Sequence, residues 1–290
     1  MVSERRFGAF ILTHGRPDNV ITYDVLRKHG YTGDIVILID DEDKTGPDYH
    51  ARFDGLPQTR VVEFSKDDIE RTFDPADLSK DRRTIVYARN ACFPVARELG
   101  LTHFVELDDD YIWFIHRYVD GPRIRSAQIR DLDAVWGLLV DLLEDTGALT
   151  VAMSQGGDHM GGRDGVLAKQ EVKRKAMNSF VCRTDRPVPF VGRINEDVNT
   201  YVLDGSRGSL FLTVLGLQLD QTPTQQSAGG MTETYLDAGT FVKSFYTVMM
   251  HPSSVKVGTM GRTSRRFHHV VQWDNTVPRI LSDRWRKERP

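Results

Sequence analysis

The sequence has 290 residues, 40% hydrophobic and 27% charged, which is ordinary for a globular protein with a substantial core and excludes a chain too polar to fold. No apolar run approaches the roughly 18–20 residues of a membrane span, so a membrane partner is not expected. The formal charge of −3 is modest but uneven: residues 261–290 carry +5 and the rest of the chain −8, with a second basic cluster at Lys169, Lys173, Arg174 and Lys175. Such patches are either solvated faces or places where a polyanion docks.

Arg5 and Arg6 precede the apolar run 7–12, which is too short for a secretory leader and lacks a small-residue cleavage site. It reads as a first strand stopped by Thr13-His14-Gly15-Arg16-Pro17. Asp18 is expected to cap a helix to about His29, with Val20, Tyr23 and Leu26 on one face and Gly30 beyond its end. A second strand over 34–40 ends in Asp40, Asp41, Glu42 and Asp43, and a short third covers 60–64. A polar connection, a helix over about 84–99 closed by Gly100, and a strand ending in Asp108-Asp109-Asp110 follow. Strands alternating with helices predict a parallel sheet covered on both faces, with ligands at the carboxyl ends of the strands. Residues 13–16, Asp40-Asp41 and Asp108–Asp110 all fall at that edge.

After Asp110 the pattern changes. Residues 111–118 read as an aromatic strand before a turn at Asp120-Gly121-Pro122. A helix over 131–146, burying Leu132, Val135, Leu138, Leu139 and Leu142, closes at Gly147. A strand over 148–153 leads to a loop with five glycines in residues 154–165, and a further strand is expected around 176–182. Helical pattern runs from Asn195-Glu196-Asp197 to Gly205, followed by a strand over 209–219 and a polar loop over 221–230. A helix near 232–249 and strands near 255 and 267–273 complete the chain. With no linker or internal repeat visible, 1–290 reads as one domain: a nucleotide-binding half (1–110), an acceptor half (111–260) and a basic segment (261–290). The only cysteines, Cys92 and Cys182, are expected to be reduced thiols of a cytoplasmic protein.

Chemistry centres on residues 103–111. A strand ending in Asp-x-Asp is expected to set Asp108 and Asp110 on one side, because side chains alternate with a period of two. Two such carboxylates repel unless a cation lies between them. A hard divalent ion, Mn²⁺ or Mg²⁺, shared with a substrate's phosphates is the simplest partner, and a solvated acidic turn is the alternative.

A parallel half followed by a mixed half, with Asp-x-Asp where they meet, resembles the GT-A glycosyltransferase fold over about residues 7–220. Thr13, His14 and Arg16 stand where that fold contacts the nucleotide, and Asp40-Asp41 matches its acidic second strand end. Ala88-Arg89-Asn90 with Ala96 resembles the helix preceding the metal strand, Leu107-Asp108-Asp109-Asp110 its "LDxD", and Asn195-Glu196-Asp197 its catalytic x-Glu-Asp. The segments "THGRPDN…LRKHGYTGDIVILIDDED", "INEDVNTYVLDGSRGSLFL" and "SFYTVMMHPSSVKV…RRFHHVVQWDNTVPRIL" are similar to glycosyltransferases associated with TET/JBP-type base oxidases, found mainly in phages.

The resemblance implies transfer from a nucleotide-sugar, of the UDP-glucose or UDP-GlcNAc type, to 5-hydroxymethylcytosine or hydroxymethyluracil in DNA. By the same resemblance Asp110 is the direct metal ligand, and Asp108 is shared between metal and ribose. A late histidine completes the metal: His251 is favoured over His268 and His269. Asp197 is the base of an inverting transfer, with Glu196 binding hydroxyls; complementing a helix N-terminus is the alternative for both. Thr13, His14, Arg16, Asp40, Asp41, Arg89, Asn90, Asp108 and Asp109 are the expected donor contacts. Arg16, Arg82 and Arg89 could pair with phosphates or with strand-end acids. Two other classes stay open: the same fold acting on a saccharide, small molecule or protein, and a binding module without catalysis.

Overall fold

The computed structural model describes residues 5–76, 82–159, 179–222, 232–260 and 265–276. Four parallel strands, β1 (Phe7–Leu12), β2 (Asp34–Asp40), β3 (Thr59–Phe64) and β4 (His103–Asp108), lie in the order 3-2-1-4. The apolar runs of β1, β2 and β4 are buried on both faces, and alternation sorts them; in the edge strand β3 only Phe64 is buried. Ala9, Ile11, Ile35, Ile37, Val105 and Leu107 pack against α1 (Ile21–Lys28), α2 (Gly46–Phe53) and α5 (Leu132–Thr146). Phe10, Leu12, Val36, Leu38 and Phe104 pack against α4 (Val86–Glu98) and α6 (Glu196–Ser206). Each fully buried side chain of this size contributes about 1.5–3 kcal/mol over exposure.

Beyond β4 the sheet becomes mixed. It continues through β8 (Ser179–Arg183), β7 (Thr150–Gln155), β9 (Phe211–Gln221), β5 (Tyr111–Asp120) and β6 (Arg123–Gln128), nine strands in all among the described residues. β8 runs antiparallel to both β4 and β7, so the parallel and mixed halves are joined by hydrogen bonds across one continuous sheet. This is the parallel-then-mixed α/β arrangement expected from the sequence. A separate antiparallel pair, β10 (Val255–Met260) and β11 (Arg266–Val271), packs on α7 (Thr232–Met250).

Several expectations need correction. Asp18 lies in a 3-10 turn over Pro17–Asn19 and does not cap α1, which begins only at Ile21. Gly30 does close α1, at φ +84°, and a Cβ there would sit 2.3 Å from the Arg130 carbonyl, so only glycine fits. α2 and α3 (Lys66–Glu70) occupy stretches expected to be connections, and β6 completes a hairpin with β5 where the sequence suggests only a turn. α5 is capped by the Asp131 carboxylate, which accepts the Ala134 N–H, and ends at left-handed Gly147. Its inward stripe is Leu132, Trp136, Leu139, Val140 and Leu143; Leu138 is 65% exposed. The helix is apolar on more than one side, so periodicity alone does not choose the buried one.

The glycine-rich loop beyond His159, the cluster at Lys169, Lys173, Arg174 and Lys175, the loop at 223–230, and the basic segment apart from residues 265–276 lie outside the described residues. Cys92 and Cys182 are buried free thiols. Among the described residues no helix is long and apolar enough to cross a membrane.

Candidate active site

The carboxyl ends of β1, β2 and β4 are bonded to one another. The Thr13 hydroxyl donates to Asp109 Oδ2 at 2.7 Å and lies 2.9 Å from the Tyr49 hydroxyl. Tyr49 also accepts the Arg16 N–H at 2.8 Å, and the Arg16 guanidinium meets Asp109 at 3.2 Å. His14 Nδ1 lies 2.7 Å from Asp40, which also takes Lys66 Nζ at 2.8 Å. Burial works to raise the Asp40 pKa, but the His14 and Lys66 bonds overcome it and hold it low. His14 is raised in turn, first by its bond to Asp40. Asp43 accepts the Gly15 N–H, and Asp41 is exposed, accepting the Lys66 N–H at the start of α3.

Of the expected donor contacts, Thr13, His14, Arg16, Asp40 and Asp109 come together here. Asp40, Asp43 and Asp109 shape the 13–16 loop, and the loop's backbone and the half-exposed His14 and Arg16 are what a ligand would meet.

Arg89 is the hub between the halves. Its side chain is 1% exposed, and its guanidinium carbon lies 4.9 Å from the centre of the Phe180 ring. It donates to Asp108 Oδ1 at 3.2 Å and Glu106 Oε2 at 3.4 Å on β4, and to Glu196 Oε1 at 3.0 Å on α6. Burial acts to lower the Arg89 pKa, and the carboxylates of Asp108, Glu196 and Glu106 raise it further than burial lowers it. Arg82, by contrast, is spent on Glu42, Asp67 and Glu70. Asn90 serves the fold: its amide donates to the Val86 and Phe190 carbonyls and its carbonyl accepts the Phe190 N–H.

Glu106 is not among the residues that the sequence singles out. It is fully buried, with Oε1 unpartnered among the described residues, and burial pushes its carboxyl up to about 8. Its one visible signal is that it precedes Asp108 by two positions in the same strand and so shares its face.

The strand ends at Asp108, so alternation does not govern Asp110, which sits in the following turn. Asp110 Oδ2 instead accepts the Thr222 hydroxyl at 2.9 Å. Burial pushes Asp108 up to about 7 against the pull of Arg89, with Asp110 and Glu196 adding to the rise; Asp110 is raised as well, again by burial first. The cluster holds more negative charge than its neighbours neutralise, and each of the two carboxylates has an oxygen outside these bonds. That donor set fits a hard divalent cation.

Among the described residues no three His, Cys, Asp or Glu side chains stand together as a complete cage. An ion here would rest on one or two carboxylates plus ligand phosphates, the usual habit of Mg²⁺. The structure does not bring His251 to Asp108 and Asp110. Its ring bonds to the backbone of Asn199, with Nε2 buried and unpartnered among the described residues. His269 is the late histidine that reaches the amino end of α6, 3.5 Å from Asn195 Nδ2, and burial pushes its pKa down to about 4.

α6 begins abruptly. Asn195 has φ +55°, tolerated by asparagine, and its amide donates to the Lys243 carbonyl and the Thr247 hydroxyl on α7, both at 2.8 Å. Gly192, at φ +79°, comes so close to Asn199 that a Cβ would stand 2.6 Å from its amide nitrogen. This tight approach places Glu196 and Asp197 in the first helical turn, where the helix dipole favours carboxylates. Glu196 is taken by Arg89. Asp197 is partly buried and accepts the Val198 N–H; burial, with Glu196 beside it, pushes its carboxyl up to about 6. A carboxylate with that affinity for a proton, unclaimed by an ion-pair contact among the described residues, is suited to general-base work.

A family model described as TET-Associated Glycosyltransferase matches residues 7–230. No curated protein matches the sequence significantly. Among solved structures the chain is similar to glucosyl-3-phosphoglycerate synthase from Mycobacterium tuberculosis. The complex with Mn²⁺, UDP and phosphoglyceric acid is 12% identical, with 93% of this chain and 88% of that chain covered and a TM-score of 0.47. The complex with Mn²⁺ and UDP-glucose is 13% identical over the same shares, with a TM-score of 0.48. At that distance the likeness assigns no residue its role. The match over 7–230 spans most of the sequence, from β1 through the Arg89 hub and α6, and the chain belongs to the TET-Associated Glycosyltransferase family.

Proposed function

We propose that this glycosyltransferase moves a hexose from a UDP-sugar to the hydroxymethyl group of 5-hydroxymethylcytosine, or of 5-hydroxymethyluracil, in DNA, with inversion at the sugar carbon. The observation that carries the transfer chemistry is the Arg89 hub, which sets the strand-end carboxylate Asp108 and the helix-end pair Glu196-Asp197 around one guanidinium. The donor lies at the strand ends, its nucleotide against residues 13–16 and its phosphates toward Asp108 and Asp110. A divalent ion held by Asp108 and Asp110 would neutralise the charge that develops on the departing diphosphate. Arg89 holds Asp108 and Glu196 in place. Asp197 takes the proton of the acceptor hydroxyl, a role worth typically about 10²–10⁴ in rate. Glu196, held by Arg89, orients hydroxyls.

The DNA acceptor rests on the family's association with TET-type base oxidases. Exposed Arg265 and Arg266 at the amino end of β11 are suited to phosphates. The test is release of nucleoside diphosphate from a panel of nucleotide-sugars with Mn²⁺, given hydroxymethylated DNA, unmodified DNA or free saccharides as acceptor. Release stimulated by hydroxymethylated DNA alone is expected. Stimulation by a saccharide and not by that DNA replaces the acceptor.

A further inference from the structure

Three phenylalanines form an exposed cluster on the α7–β11 unit. Phe241 and Phe245, one turn apart on α7, stack at 5.5 Å, and Phe267 from β11 meets Phe241 edge-on at 5.8 Å. They are 50%, 45% and 49% exposed. Singly exposed apolar side chains need no explanation, but contiguous exposed rings mark an interaction surface. Cations lie close to them: Lys243 stands between Phe241 and Phe245 on α7, Arg266 is within electrostatic range of Lys243, and Arg265 and Arg266, both exposed, immediately precede Phe267. The cluster also adjoins the catalytic end. Phe267 and His269 share one face of β11, about 7 Å apart, and His269 reaches Asn195, the residue before Glu196. The whole unit lies beyond residue 230, where the family match stops.

We infer that this surface is the acceptor platform: the rings of Phe241, Phe245 and Phe267 stack on unpaired bases flanking the modified nucleotide, while Arg265 and Arg266 hold the phosphates. The inference rests on the DNA-acceptor reading above and deepens it, making the substrate single-stranded or locally opened DNA. Aromatic faces interleaved with cations are what a polyanion of planar bases selects, since every base has a π-face and every linkage a charge. A hydroxymethyl group inside a closed duplex would otherwise have to be flipped out to reach Asp197.

The test uses a single-stranded oligonucleotide carrying 5-hydroxymethylcytosine, with binding read by fluorescence anisotropy and transfer by nucleoside mass spectrometry. Two triple variants are compared: Phe241→Leu/Phe245→Leu/Phe267→Leu keeps apolar bulk without rings, and Phe241→Tyr/Phe245→Tyr/Phe267→Tyr keeps the rings. The leucine variant is expected to bind the oligonucleotide at least about 10-fold more weakly, since one base–aromatic stack is worth about 5–150-fold. Its UDP-sugar affinity by calorimetry should be unchanged, and the tyrosine variant should stay near wild type. The platform is overturned if the leucine variant binds the oligonucleotide as wild type does. It is equally overturned if that variant instead loses affinity for anionic phospholipid vesicles or loses self-association while keeping DNA binding. If wild type binds through the rings but adds no sugar, the platform stands and the acceptor assignment falls. If wild type adds sugar and the leucine changes alter neither binding nor transfer, the acceptor assignment stands and the platform falls. A wild-type protein that binds no DNA sinks both.

Discussion

Arg89→Leu should separate two consequences of removing one buried cation. The side chain is 1% exposed and faces Glu106, Asp108 and Glu196, so its loss strips hydrogen bonds from three carboxyl groups at once. Breaking a buried ion pair from one side costs about 3–5 kcal/mol, because a charge is left without compensation. Here protonation limits that cost. Glu106 and Asp108 already titrate at about 8 and 7, and Arg89 is the group pulling both down. Without it their folded-state pKa values rise further, so the folded variant binds more protons than the folded wild type. By linkage its stability then falls, relative to wild type, as pH rises. Urea unfolding should therefore show a loss of roughly 3 kcal/mol or more at pH 8 and a smaller one at pH 5.5. Calorimetry at pH 7.5 should also show donor binding lost, since Asp108 would stay protonated. A loss below about 1 kcal/mol at both pH values, with donor affinity intact, refutes the hub.

Asp110→Ala should abolish the Mn²⁺-dependent heat of UDP-sugar binding while circular dichroism shows the fold retained; unchanged binding removes Asp110 from the donor site. Asp197→Asn should keep donor affinity and lose about 10²–10⁴ in turnover, because an amide cannot accept the proton; turnover close to wild type removes it as the base. With the Asp197 carboxyl near 6, wild-type kcat at saturating donor and metal should fall as pH drops below that value, because the base becomes protonated. The acid limb should be absent from the residual activity of Asp197→Asn.

What the sequence made legible was what local rules decide. β1, β2 and β4 are near-continuous apolar runs bounded by charge. Gly30 and Gly147 mark helix ends by their left-handed backbone, and Asp131 caps α5. The convergence of residues 13–16, Asp40 and Asp108 followed from parallel strands having their carboxyl ends at one edge. The rest depended on contacts distant in sequence. α2 offers only Tyr49 and Phe53 as an i,i+4 apolar pair within a polar octet, too little to read as a helix, yet Tyr49 organises Thr13 and Arg16. Glu106 looks like a lone polar residue in an apolar strand until Arg89 is seen against it from α4. Which late histidine reaches the amino end of α6 is decided by how β11 folds back on α7, which no spacing reveals.

The most direct measurement is the mass of the nucleosides recovered from DNA. The protein is incubated with Mn²⁺, a UDP-hexose and an oligonucleotide carrying 5-hydroxymethylcytosine, alongside the same oligonucleotide with unmodified cytosine. After digestion, the 5-hydroxymethylcytosine nucleoside should gain the mass of one hexosyl group, dependent on metal and lost in Asp197→Asn, and cytosine should gain none. No mass gain with any UDP-hexose, from a protein that still transfers sugar to a free saccharide, contradicts the assignment of DNA as the acceptor.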